Sequence, residues 1–283
     1  MEDMTTGAAN IAIGYETMKE LNHADADANI AIGNNVLKTV TTQGLHSCVG
    51  IGHNALDAVN LSSAAGTIGI GRDALGALTN GLGNTAIGFE AAAAVAGGDR
   101  NTVIGFEALE AGDVSDMTVI GYEAGASVNS ADANGSVFIG AFAGDGITSG
   151  IGNMAIGYAA LDNEDDGDYS TAIGYEALTD QTGTTRTVAN TAVGYHAGRT
   201  VTTAIKNTLV GSDAGQGLNT GGFNACLGEA ALGYATTASG SVMIGWQAGL
   251  DLTTGYQNIA IGNQAKNGSA VTGDWNIAIG SRA

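Results

Sequence analysis

The sequence predicts an all-β fold, a parallel β-solenoid of sixteen short rungs, and three observations predict it. The first is a recurring peptide, NIAIG, at residues 10–14, 29–33, 258–262 and 276–280. The second is the period. The glycine that closes each copy recurs at 14, 33, 52, 71, 88, 105, 121, 140, 157, 174, 194, 211, 228, 245, 262 and 280, at intervals of 16 to 20 residues, most often 17. A fixed period this short marks a solenoid. The third is composition: 46 Gly, no Pro, 44% hydrophobic residues and only 5% aromatics. Such a chain has apolar surface to bury but few large side chains to fill a thick core, so burial must be thin and repetitive. The expected organisation is one continuous solenoid over 1–283, with repeats over 10–283 and a partial first rung at 1–9.

Each part of the rung has its own warrant. Counting from the closing glycine, position −1 is Ile, Val or Leu in every copy, from Ile13 through Ile87, Ile173 and Ile261 to Ile279. Position −3 is apolar or β-branched, as in Ile11, Thr85 and Ile259. The two share one face of a strand, and that face is assigned to the coil interior. Position −2 is never polar, so both faces are apolar and one needs a cover that a coil this thin cannot supply from its own chain. Self-association is the economical answer. Position −4 is Asn10, Asn29, Asn84, Asn101, Asn153, Asn190, Asn207, Asn224, Asn258 or Asn276, with Ser136, Ser170 and Ser241 in three more copies. Stacked in register, these amides form a ladder and hold the bend before the strand. Ala fills position +3 except at Thr17 and Val36, which lets successive turns approach closely. The stretches between copies, such as LTTGYQ and LDNEDDGDYS, carry turn residues and vary in length.

Charge and motif content exclude several function classes. Nine Lys and Arg against 28 Asp and Glu give a net charge of -19, the wrong sign for nucleic acid or an anionic membrane. No run of 18 apolar residues is present, and the opening MEDMTTGAAN lacks the basic start and apolar stretch of a secretion signal. Cys48 and Cys226 have no metal or disulfide spacing and read as buried thiols. His23, His46, His53 and His196 share no motif with a nucleophile. GIGHNA and GIGRDA are too short for a dinucleotide fingerprint. The expectation is a non-enzymatic protein with no cofactor.

Candidate contact residues lie on the rung corners. Position +1 is aromatic at Tyr15, Phe89, Phe106, Tyr122, Tyr158, Tyr175, Tyr195 and Trp246. Aligned, these rings form a packing ladder, and Tyr158 and Tyr175 are the candidates for ligand contact. Position +2 carries Glu16, Asp73, Glu90, Glu107, Glu123 and Glu176, a solvated acidic face. The stretch DNEDDGDY begins like a calcium loop, with Asp162, Glu164, Asp166 and Asp168 near the right offsets, but the twelfth position is Ile173 rather than an acid. Calcium is the one cofactor the sequence raises.

The repeated N-x-A-I-G-x-x-A of NTAIGFEAA, NMAIGYAAL and NTAVGYHAG resembles the head repeats of trimeric autotransporter adhesins, and still more the repeats of bacteriophage tail fibres. The resemblance covers about residues 10–283. It implies a left-handed β-roll, a homotrimer, and a fibre on a virion or cell surface that contacts a glycan or protein receptor. The absence of a signal at the start favours a phage fibre, which assembles in the cytoplasm. One further expectation concerns the ends: MTTGAANIAIG aligns with LTTGYQNIAIG, and Ala283 abutting Met1 of another copy restores the 17-residue interval. Copies stacked head to tail into a filament are the alternative to a fibre segment, and a fibre-borne polysaccharide depolymerase is the weaker third reading.

Overall fold

The computed structural model describes residues 7–21, 26–39, 44–59, 64–110, 112–183, 187–268 and 272–283. His23, Met1 and most of the partial first rung fall outside them. The fold is an all-β parallel solenoid of sixteen strands taken in chain order. The chain forms two compact units, Met1–Ile139 and Gly140–Ala283. The first holds β1 (Ile11–Ile13), β2 (Ile30–Asn34), β3 (Val49–His53), β4 (Ile68–Ile70), β5 (Thr85–Ile87), β6 (Thr102–Ile104), β7 (Thr118–Ile120) and β8 (Val137–Ile139). The second holds β9 (Met154–Ile156), β10 (Thr171–Ile173), β11 (Thr191–Val193), β12 (Thr208–Val210), β13 (Ala225–Leu227), β14 (Val242–Ile244), β15 (Ile259–Ile261) and β16 (Ile277–Ile279). In each unit neighbouring strands pair in parallel with like positions opposed, Ile87 to Ile104 in the first and Ile173 to Val193 in the second.

The sixteen marker glycines have φ between 127° and 149°, a region closed to residues with a Cβ. A Cβ on Gly174 would also strike the carbonyl of Gly194 on the next rung. Conformation and close approach therefore both demand glycine there. Positions −5, +2 and +4 are also left-handed, and most are not glycine: Tyr169, Glu176 and Leu178 have φ of 64°, 50° and 52°. Each such residue costs about 1 kcal/mol locally. Bonds between rungs hold them, for Glu176 N–H donates to the Tyr158 carbonyl (2.9 Å) and Leu178 N–H to the Ala197 carbonyl (3.0 Å).

The strand faces lie opposite to the expectation. In β10 the middle residue, Ala172, is buried, while Thr171 and Ile173 on either side are partly exposed. The same pattern runs through both units. Ile13, Ile87, Ile173 and Ile261 are thus stacked in a ladder as expected, but on the outward face and not in the coil interior. The reason is volume, because the inward residue shares its space with positions +3 and +4 of the turns. Where the inner residue is Phe138, Leu209 or Met243, position +4 is Gly144, Gly215 or Gly249; where it is Gly50, Gly69 or Ala172, position +4 is Leu56, Leu75 or Leu178. A Cβ on Gly249 would run into the Met243 sulfur, and one on Gly69 into Leu56. A row of isoleucines would overfill this space.

Candidate interaction surface

The outward strand row is an apolar feature that the coil itself does not cover. Ile87 and Ile104 in the first unit, and Leu227, Ile244 and Ile261 in the second, remain exposed. Each stands one inter-strand spacing, about 4.8 Å, from the next copy of its position. Parallel sheets are ordinarily covered on both faces, and contiguous exposed apolar rows mark interaction sites.

Beside this row run the aromatic residues of position +1. Phe89 stacks on Phe106 (5.0 Å between centroids) and Phe106 on Tyr122 (5.4 Å) in the first unit. Tyr158 stacks on Tyr175 (5.1 Å) and Tyr175 on Tyr195 (5.6 Å) in the second. Tyr158 and Tyr175 thus sit inside a packed, outward-facing ladder, each about half exposed. Partial desolvation, then Glu176, raises the Tyr175 hydroxyl pKa.

The acidic corner at +2 is managed differently along its length. Glu16 binds Lys19 (2.8 Å) and Lys38 (2.6 Å), and these hydrogen bonds hold its carboxyl at about 2. Glu107 has no such partner. Partial desolvation, then Glu110, Glu90 and Glu123, raises its pKa. In the second unit the same column reads Glu176, His196, Asp213, with His196 Nε2 3.2 Å from Glu176 and Nδ1 3.6 Å from Asp213. Arg199 adds a 3.0 Å contact to Glu176.

The asparagines form the expected ladder. Asn207 Oδ1 accepts the Asn224 backbone N–H (3.0 Å) and its Nδ2 donates to the Gly221 carbonyl (3.0 Å), and Asn29, Asn84, Asn101, Asn153, Asn190, Asn224 and Asn258 are buried in like fashion. Asn10 caps Asn29 at 2.9 Å and Asn276 joins Asn258 at 2.9 Å. Where Ser170 interrupts the column, Gln181 fills in. Its Nε2 donates to Ser170 Oγ (3.0 Å) while its Oε1 accepts from Asn190 Nδ2 (2.8 Å).

The calcium-like stretch is a corner of the coil whose acids diverge. Glu164 is fully buried, accepting from Gly167 N–H (2.9 Å), Gly183 N–H (3.0 Å) and Gln181 Nε2 (2.5 Å). Asp168 accepts from Ile151 N–H (2.8 Å), and burial raises the pKa of Asp162. Asp166 is only partly exposed. Among the described residues no three His, Cys, Asp or Glu side chains converge on a metal-sized site. Both cysteines are free and buried as expected, and burial pushes Cys48 up to about 11 and Cys226 up to about 12.

One feature escaped the sequence reading. In the second unit an open cleft of about 570 Å³ is lined by Phe223, Tyr256 and Trp275 with Ser239, Gln257 and Asp274, over Gly240. These residues occupy positions −5 and −6, before the Asn ladder. The three aromatics are divided between the two positions, Phe223 and Trp275 at −5 and Tyr256 at −6, with Gly240 and Gln257 between them, so no periodic signal marks them. Among the described residues no helix is long and apolar enough to cross a membrane. No protein-family model, curated protein or solved structure matches the chain.

Proposed function

We propose that the chain is a non-enzymatic structural and adhesive fibre segment, the shaft or receptor-contacting part of a phage tail fibre or similar extracellular adhesin. The observation that carries this reading is the outward row at position −1, which is Ile, Val or Leu in every rung and is partly or fully exposed in the single chain. The occupant that fits it is a second copy of the chain, whose row repeats at the same spacing and is apolar along the same length. The repeat resemblance sets the copy number at three and the location at a virion or cell surface. Nothing in this reading requires a cofactor or a catalytic group.

The test is the mass of the purified chain in solution, by sedimentation equilibrium or native mass spectrometry. The wild type is expected at three times the 28.0 kDa chain mass. Leu227→Asp and Ile87→Asp, each on the outward row, are expected to give folded monomers. A monomeric wild type, or variants with unchanged mass, would refute the reading.

A further inference from the structure

We propose that the cleft over Gly240 binds a neutral oligosaccharide. This deepens the adhesive half of the reading above and rests on it, whereas self-assembly stands or falls separately. The cleft is made by an omission. Position −5 on successive rungs reads Lys206, Phe223, Gly240, Gln257, Trp275. Lys206 covers the Phe223 ring from the preceding rung, 5.4 Å from its centroid. On the following rung Gly240 offers no side chain, and a Cβ built there meets only Gln257. The space beside Phe223 is therefore open, and Trp275 rises three rungs beyond it, about 14 Å along the stack at one strand spacing per rung.

The walls have the character that sugars need. Phe223, Tyr256 and Trp275 are 60%, 53% and 74% exposed, and burying such rings in the coil is not their role. Their backbones are already satisfied. Tyr256 N–H donates to Asp274 Oδ1 (2.8 Å), Trp275 N–H to the Tyr256 carbonyl (3.0 Å) and Gln257 N–H to the Ser239 carbonyl (2.8 Å). Among the described residues, the Gln257 amide, the Tyr256 hydroxyl and the Trp275 indole N–H make no hydrogen bond within the chain. Flat apolar faces with free donors and acceptors at their edges match a pyranose, which is apolar on its C–H faces and polar around its rim. The sign of charge narrows the class. Among the described lining residues Asp274 alone is charged, Lys206 being engaged on the far side of Phe223's rung, and the chain carries -19 overall, which disfavours uronic or sialic acid chains and nucleic acids.

The experiment is isothermal titration calorimetry of the intact chain with maltohexaose, cellohexaose and chitohexaose, with oligomer mass measured on every variant. Saturable binding of at least one is expected. Trp275→Ala and Tyr256→Ala should each weaken it about tenfold, as loss of one stacked face implies. Gly240→Asn, which keeps the left-handed backbone and refills the gap, should abolish it. Mass should not change in any variant. No heat with any of the three sugars, or binding indifferent to all three substitutions, overturns the proposal. A change of mass in Trp275→Ala also overturns it, by making the cleft a contact between copies. A monomeric wild type that still binds sugar would sink the fibre reading and leave the cleft standing.

Discussion

Ala172 and Ile173 are adjacent in β10, yet one is sealed in the coil and the other looks outward, and the same division separates an inner from an outer row in both units. The inner row runs from Gly50 to Phe138 in size, and at its extremes the bulk is traded against position +4, Gly50 with Leu56 and Met243 with Gly249. The outer row at position −1 never leaves the aliphatic set. Variation is thus tolerated where the chain can compensate within its own coil. Uniformity is kept where compensation would have to come from another molecule. That contrast is what the fibre reading explains.

The largest expected effect separates the two rows directly. Ala172→Asp places an unpaired charge in a dry, filled interior, which costs several kcal/mol, and no folded protein is expected in circular dichroism or in the soluble fraction. Ile173→Asp, one residue along, is expected to fold with an unchanged spectrum and to lose only its self-association. Equal loss of folding in both variants would remove the distinction between the rows.

The inner row can next be tested against its own compensation. Met243→Ala empties a site next to Gly249 and is expected to destabilise by about 3 kcal/mol in denaturant unfolding. Adding Gly249→Leu recreates the Ala172 and Leu178 pairing of another rung, with leucine in the left-handed conformation it already holds there. Most of the loss is expected to return. Additive losses would mean that the volumes of the two positions are not coupled.

A smaller effect is expected in the amide ladder. Asn207→Ala leaves the buried Asn224 N–H and the Gly221 carbonyl without their partners, at a cost of about 2 kcal/mol. The first unit shows the ladder to be dispensable at single rungs, since Cys48, Thr67 and Met117 stand in its column. Their neighbours do not depend on a full set of amide bonds, as those of Asn207 do. Asn207→Ser is expected to be milder, because Ser241 Oγ accepts the Asn258 N–H at 3.2 Å from the same position.

The period, the strand positions and the Asn ladder were legible in the sequence because all three repeat, and repetition survives any error at one copy. The facing of the strands was not. Both rows are apolar, so alternation carries no sign, and only the reciprocal sizes of positions −2 and +4 reveal which row shares space with the turns. Leu209 beside Gly215 and Met243 beside Gly249 were available as that signal. The burial of Glu164 was illegible for a different reason. Its partners, Gly183 and Gln181, come from the next rung at 19 and 17 residues' remove, and a local run of acids carries no sign of contacts that lie across rungs. The cleft over Gly240 depends on one missing side chain among variable residues, and no period announces it.

The acidic corner gives the smallest effect and a definite sign. Desolvation and the neighbouring carboxylates raise the pKa of Glu107 in the folded chain. A carboxyl with a raised folded pKa binds its proton more tightly folded than unfolded. It therefore opposes folding when ionised, and the penalty fades as pH falls through the raised folded pKa towards the ordinary carboxylate value. Burial acts in the same direction at Asp57 and Asp162. Glu16 and Asp116 act oppositely. Lys19 and Lys38 hold Glu16 down to about 2, and Arg100 lowers Asp116, so their stabilisation is present at neutral pH and is lost only as pH drops from the ordinary carboxylate range towards the folded values. The melting temperature should accordingly rise slightly on mild acidification from pH 7 and fall in stronger acid. Glu107→Gln should raise it at pH 7 and leave it unchanged near pH 4, where the wild-type carboxyl is itself largely neutral. A gain equal at both pH values would trace the effect to packing at the corner and not to charge. In that case the outward face would be governed by shape alone, as the inner row is.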